Sequence, residues 1–225
     1  MLCDEEITLN EDSTDNKKGA DLVVVDNKLD TIARIELKFG NETIRNIGNK
    51  TMSYLFTLSN SAQSFDSLFS DISKSQRSFV LQNNLLPNDD EKIDQNLKKL
   101  LSDKLASISD IKVNDERIDQ LLKTTGNIKE NVGEKIFKVK ISYNDDINKS
   151  IKMVELPNST GIWKIQNISL APKSSRLQII ISNESISVKF LLNWKNNYKF
   201  NGLKYAARLG LGSSSWNVWV SKIKP

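Results

Sequence analysis

The sequence contains no histidine at all, and this absence narrows the chemistry more than any motif does. Without imidazole there is no Ser-His-Asp or Cys-His catalysis, no histidine acid–base pair of the ribonuclease kind, no HNH nuclease, and no His-ligated zinc hydrolase or common zinc finger. Carboxylate and lysine chemistry passes this filter untouched. Cysteine is nearly absent as well. Cys3 stands alone, so no intrachain disulfide can form, and a cytoplasmic setting is expected. No stretch approaches the roughly eighteen consecutive apolar residues of a membrane span. The acidic opening Met1-Leu2-Cys3-Asp4-Glu5-Glu6 is unlike a secretory signal. With four prolines and nine glycines in 225 residues, and 38% hydrophobic residues, the chain has the means to build a packed core. There is no internal repeat and no low-complexity tract, and the abundance of Asn, Lys, Ile and Ser suggests an AT-rich coding genome rather than a function.

The net charge of +4 is unevenly placed. Residues 1–30 hold nine acids against three bases, whereas residues 151–225 hold eleven bases against Glu155 and Glu184. A basic final third is the electrostatic footprint of a polyanion partner, although a solvated surface in a lysine-rich protein gives the same count.

Two short apolar runs carry the sharpest signal. Gly19-Ala20-Asp21-Leu22-Val23-Val24-Val25 is followed by the polar Asp26-Asn27-Lys28-Leu29-Asp30, then by Ile32-Ala33-Arg34-Ile35-Glu36-Leu37-Lys38-Phe39. β-Branched runs around a polar turn predict a hairpin. Opposed residues of an antiparallel pair have a constant sum, and Asp21 with Glu36 gives 57, which centres the turn between Lys28 and Leu29. Glu36 and Lys38 share a face because strand side chains alternate, and Asp21 joins them if the turn has an even count. The near-continuous apolar runs suggest strands buried on both faces, where a charge is costly unless something pairs with it.

Further along, residues 42–58 read as partly helical, and residues 61–84 as an amphipathic helix carrying Phe65, Leu68, Phe69, Ile72, Phe79 and Val80. A second helix follows Asp89-Asp90, with Ile93, Leu97, Leu100, Leu101, Leu105 and Ile108 on one stripe, and a shorter third covers about 114–123. These stripes are core or dimer contacts. A helix-turn-helix over 89–123 is disfavoured by Asp115-Glu116 at the start of its recognition helix. From 134 the pattern turns to strands, at 135–143, 151–155, 162–170, 176–183, 186–194, 203–209 and 216–223. The segment 124–133 is the best boundary, giving an expected core over 1–133 and a β-rich lobe over 134–225. Trp163, Trp194, Trp216 and Trp219 are expected as core anchors.

An Asp on one strand and Glu-x-Lys on the next resembles the PD-(D/E)xK nuclease superfamily. The residues that carry this are Asp21, Glu36 and Lys38, with no proline before the Asp and no obvious helix upstream. Glu5, Glu6 and Glu11 are candidates for a further acid there. The resemblance implies an α/β (α+β) fold with a mixed-sheet restriction-endonuclease-like core flanked by helices, here followed by the β-rich lobe. It also implies Mg²⁺ (or Mn²⁺ in its place) held by Asp21, Glu36 and the Leu37 carbonyl, with Lys38 beside the attacking water. Leu192-Asn193-Trp194-Lys195-Asn196-Asn197, Gly202, and the final Trp216-Asn217-Val218-Trp219-Val220 are similar to the C-terminal ends of some type II restriction endonucleases. The implied activity is cleavage of double-stranded DNA, by a homodimer matching the two antiparallel strands. Residue type and position make Arg45, Asn49, Lys50, Lys195, Asn196, Asn197, Lys199 and Arg208 the candidates for DNA contact. The rival expectations are a phage, repair or recombination nuclease without sequence specificity, and a non-enzymatic basic β-rich binding module.

Overall fold

The computed structural model describes residues 8–10, 22–39, 45–58, 63–122, 135–141, 151–155, 161–171, 175–195 and 198–223. The chain forms two compact units that interleave in sequence: Met1–Arg45 with Ile118–Thr160, and Asn46–Arg117 with Gly161–Pro225.

The first unit holds strands β1 (Thr8–Asn10), β2 (Leu22–Val25), β3 (Thr31–Phe39), and the later strands that become β7 (Lys135–Ile141) and β8 (Ile151–Glu155). They form one mixed sheet in the order β1-β2-β3-β7-β8. All neighbours are antiparallel except β3 and β7, which run parallel. A parallel pair cannot be closed by a tight turn and needs a long crossover. Here the crossover contains the helical segment, which is why 135–155 joins the amino-terminal strands and not the strands that follow it. The division expected at 133/134 therefore differs from the one that the pairing creates.

The β2–β3 hairpin has the expected register. Leu22 opposes Ile35, Val23 opposes Arg34 and Val24 opposes Ala33, each pair keeping the constant sum, before a bulge puts Val25 opposite Thr31. Its turn is held by Asp26, whose carboxylate accepts from the backbone N–H of Lys28 (2.8 Å) and of Asp30 (2.9 Å). The expectation of strands buried on both faces is not met. Leu22, Val23 and Val24 are half-buried, Val25 and Ala33 are buried, and Ile32 is exposed. The apolar run reflects β-propensity as much as burial.

The second unit is an antiparallel sheet covered on one face by helices. Its elements are β4 (Arg45–Gly48, beginning at the boundary), α1 (Asn49–Leu55), β5 (Phe56–Leu58), α2 (Phe65–Gln82), α3 (Asp90–Ser109), β6 (Ile111–Val113) and α4 (Asp115–Leu122, which runs across the boundary). After β7 and β8 come β9 (Lys164–Leu170), β10 (Leu177–Ser182), β11 (Ile186–Trp194), β12 (Tyr198–Phe200), β13 (Leu203–Tyr205), a 3₁₀ turn (Ala207–Leu209) and β14 (Ser214–Lys222). The sheet order is β4-β14-β11-β10-β9, while β5 pairs with β6 and β12 with β13. The intervening strand β6 separates α3 from α4, so residues 89–123 are not a helix-turn-helix.

Alternation decides which sheet face is inside. Leu177, Ile179 and Ile181, then Ile186, Val188, Phe190, Leu192 and Trp194, then Trp216 and Val218, are all buried. α2 lies over them: Phe69 meets the Trp216 ring edge-on at 5.3 Å, Phe65 meets it at 6.0 Å, and Phe69 meets Trp194 at 6.4 Å. Of the four tryptophans, Trp163, Trp194 and Trp216 are core anchors as expected, while Trp219 is half-buried on the other face beneath the Lys189 ammonium, 4.7 Å from its centroid. Most of the α2 and α3 stripes goes into the core: Phe65, Leu68, Phe69, Ile72, Val80, Ile93, Leu97, Leu101 and Ile108 are buried, while Phe79, Leu100 and Leu105 are half-buried.

α2 starts where Ser64 and Ser67 cap each other, each side chain accepting from the other's backbone N–H. It is tied to α3 by the wholly buried Gln76, which donates to the Ile93 carbonyl at 2.6 Å and accepts from the Asn96 amide at 2.7 Å. Among the described residues no helix is long and apolar enough to cross a membrane.

Gly210 closes the 3₁₀ turn with φ +72°, and a Cβ there would lie 2.7 Å from Leu97 Cδ1 on α3. Leu97 is itself fully buried and has nowhere to retreat. Gly210→Ala combines left-handed strain of about 1–2 kcal/mol with overpacking of about 1–3 kcal/mol. The urea midpoint of the second unit should fall by an amount equivalent to roughly 2–5 kcal/mol, and an unchanged midpoint would refute the packing described.

Candidate functional site

Two places answer to the chemistry expected from the sequence, one in each unit. In the first unit, Glu36, Leu37 and Lys38 lie on β3, one to three residues past Ile35, the last residue of β3 paired to β2 among the described residues. On its other edge β3 stays paired throughout, with Glu36 opposite Lys138, Leu37 opposite Val139 and Lys38 opposite Lys140. Asp21 lies outside the described residues, as do Glu5, Glu6 and Glu11, although β1 occupies 8–10 between them. Among the described residues no group of three or more potential metal-ligating side chains comes together. The neighbours Lys138 and Lys140 were missed in the sequence. They sit about a hundred residues away in the chain, and nothing in local pattern announces a parallel pairing over that separation.

The expected DNA-contacting residues lie in the second unit, except Arg45 at the end of the first unit's opening segment, and they are engaged differently. Asn49, at the start of α1, is engaged internally. Its amide donates to Ser214 Oγ at 3.0 Å, and its carbonyl oxygen accepts from Trp216 Nε1 at 2.9 Å. It is a clasp between α1 and β14, and it also lines the cleft described below. Arg208 is ion-paired to Asp90 at 3.2 Å with both groups well exposed, an arrangement worth little energy and easily exchanged for another anion. Lys50, Lys195 and Lys199 are exposed. Asn196 and Asn197 lie outside the described residues, and Arg45 is placed on β4 by its backbone alone.

Lys199 occupies a short ribbon that local chemistry builds well. Asn201 (φ 51°) and Gly202 (φ 79°) form its two-residue turn, a pairing of residue types that tolerates left-handed backbone. Tyr198 opposes Tyr205 and Phe200 opposes Leu203 on one face, so Lys199 and Lys204 oppose each other on the outward face. Tyr198, Phe200 and Tyr205 pack with Val80, Leu85, Ile93, Leu209 and Leu211. The Tyr205 hydroxyl donates to the Leu85 carbonyl at 2.9 Å, and burial, reinforced by the Asp89 carboxylate, holds its pKa above the usual tyrosine range. The sequence showed the lysines but not the direct opposition of Lys199 and Lys204, which follows from the turn.

A cleft of about 470 Å³ opens between the start of α1, the outer side of α2 and the loop at 212–214. Lys50, Lys74 and Arg77 line it, with Asp66 as the single acid among the described residues. Lys74 and Arg77 were missed in the sequence because a helix with alternating charges reads as an ordinary solvated face.

Comparison with family models, curated proteins and solved structures finds no match to this chain.

The clasp gives a direct test. Asn49→Ala leaves the buried Trp216 indole N–H without its acceptor and should lower stability by about 1–3 kcal/mol. Lys50→Ala, one residue on and exposed, should stay within about 0.5 kcal/mol of the parent. Chemical denaturation separates the two, and equal midpoints would show that the clasp carries no weight.

Proposed function

We propose that this protein is a Mg²⁺-dependent endonuclease of the PD-(D/E)xK type that hydrolyses phosphodiester bonds of double-stranded DNA. The reading is carried by the β2–β3 register, in which Leu22 opposes Ile35. The constant sum of that register, 57, is the one that the expected opposition of Asp21 and Glu36 in the Asp…Glu-x-Lys pattern requires. The in-order mixed sheet of the first unit supports it too, since a mixed sheet is what the resemblance implies for the core.

In this reading Asp21, Glu36 and the Leu37 carbonyl supply hard oxygen donors for the cation, which would stabilise charge at phosphorus and acidify the attacking water. Lys38 holds that water and offsets the charge that grows on the phosphoryl oxygens. Manganese would serve in place of magnesium. Sequence-specific cutting of the type II kind is the preferred form, performed by two copies so that each hairpin addresses one strand. A repair or recombination nuclease without sequence preference uses the same residues.

A binding module without catalysis is the second reading. The observation that favours it is the concentration of exposed cations in the second unit.

Asp21→Ala and Glu36→Ala should each abolish Mg²⁺-dependent cleavage of plasmid or phage DNA. Lys38→Ala should slow it by orders of magnitude with the unfolding transition unchanged. Ca²⁺ should support binding without turnover. Near-normal cutting by the Glu36 variant sinks the assignment of the site, and an EDTA-insensitive protein that binds DNA without ever nicking it establishes the second reading instead. Discrete bands rather than a smear identify site-specific cleavage.

A further inference from the structure

We propose that the cleft lined by Lys50, Lys74 and Arg77, continued by Lys199 and Lys204 on the β12–β13 ribbon, is a track for the phosphodiester backbone of duplex DNA. The inference takes the identity of the polyanion from the DNA-directed reading above. The phosphate chemistry is argued from the second unit alone.

The residues on the cleft side of α2 recur at helical spacing: Asp66, Ser70, Ser73, Lys74 and Arg77 face the cleft, while Phe65, Leu68, Phe69, Ile72, Gln76 and Val80 face the core. One wall of the cleft is therefore as rigid as the aromatic core behind it. Arg77 is the best-defined of the three cations. Its Nε donates to the Leu211 carbonyl at 2.9 Å, and its guanidinium lies 4.7 Å from the Tyr198 ring centroid. Among the described residues its two terminal amino groups have no hydrogen-bond partner. A guanidinium fixed by one edge and one face, with the remaining donors open, is already in the arrangement that binds a phosphate in a bidentate manner. The opposite side of the cleft is fixed as well, because Ser73 donates to the Gly212 carbonyl at 3.1 Å and the Lys195 N–H donates to the Ser213 carbonyl at 2.8 Å.

Competing anions are weak. Lys50 has no ion pair among the described residues, and Lys74 has only Asp71 at 3.8 Å across an exposed helix turn. That contact is long and screened by water, so a phosphate displaces it at little cost. Three cations against one acid in a cleft focus a positive potential.

Tyr198 connects the cleft to the ribbon, since its ring lies under Arg77 and it begins β12. On the outward face the next residue, Lys199, is paired directly with Lys204. Like charges opposed across a two-stranded ribbon destabilise it, and an anion between them removes that cost. A single phosphate bound in the cleft would leave the ribbon pair unexplained. A backbone with successive phosphates along one strand engages both.

The test is binding of a short labelled duplex in Ca²⁺ across a series of salt concentrations. It compares the parent with K50Q/K74Q, with K199Q/K204Q, and with K112Q/K164Q, which removes the same charge from exposed strand positions outside the track. Each track variant should bind at least about tenfold more weakly and lose roughly two units of salt slope, about 0.9 for each phosphate contact. The control pair should keep the parental slope. Track variants that behave like the control overturn the proposal. So does displacement of the duplex by low millimolar inorganic phosphate at constant ionic strength, which would define an isolated phosphate site. Running the series also on Glu36→Gln keeps the two ideas apart. Binding through the track without any cleavage by the parent removes the nuclease reading and leaves the track. Cleavage with binding unaffected by the track variants does the reverse.

Discussion

The second unit depends on the burial of Trp194 and Trp216 beneath Phe65 and Phe69. Each large ring removed from water contributes about 1.5–3 kcal/mol, and edge-to-face pairs add about 0.5–1.5 kcal/mol beyond that. The four rings and Phe190, which meets Phe56 edge-on at 5.2 Å, join β11 and β14 to α2 and to β5, the strand after α1. Their combined contribution is comparable with the whole net stability of a domain this size, about 5–15 kcal/mol. The polar contacts of the unit are arranged around that cluster. Trp216 and Trp194 each have one indole N–H to satisfy, and Asn49 and the Ser175 carbonyl accept from them. Ser175 in turn donates to Asp94 on α3, so a second helix is fixed by the same requirement.

This ordering explains which charged side chains are available to a ligand. A polar group that answers a buried donor is fixed and cannot be withdrawn without leaving that donor unpaired, which is the case for Asn49 and Gln76. Lys50, Lys199 and Lys204 answer no buried donor, so their ammonium groups can turn to a ligand without leaving an internal group unpaired. Arg77 stands between the two classes. Its Nε and its flat face belong to the fold, while its remaining donors do not. A cation of that kind is positioned before any anion arrives, and less side-chain entropy is lost on binding.

Local elements were legible in the sequence where one physical signal dominated. The stripe from Phe65 to Val80 could only be a helix, the alternation through 186–194 could only be a half-buried strand, and the constant sum of 57 matches the pairing of 22–24 with 33–35, although the bulge that restores it after the polar pentad was not legible. What failed was read from composition or from distance along the chain. The short strands at 45–48 and 56–58 lie in a stretch that looked partly helical, and they exist because partner strands elsewhere, β14 and β6, pair with them. The grouping of 135–155 with residues 22–39 rests on a parallel pairing for which no local residue signal exists. A run such as Leu22–Val25 announces a strand but not how much of it is covered, because β-branching serves the pleated backbone and burial alike.

The candidate catalytic residues were legible for a related reason. The expected sharing of a face by Glu36 and Lys38 depends only on period-two alternation within one strand, and the expected place of Asp21 only on the hairpin register, so the whole pattern is local. The cation track is not local. Lys50, Lys74, Arg77, Lys199 and Lys204 come from three parts of the chain that meet because α2 packs on one sheet and the β12–β13 ribbon packs on the end of α2 and the start of α3. A charge count found the basic final third, but it missed the two residues of α2 that give the cleft its sign. Electrostatic sites assembled by packing belong to the tertiary structure. The sequence carries only their net charge, whereas a pattern on one hairpin is written in neighbouring residues and needs no tertiary contact to be noticed.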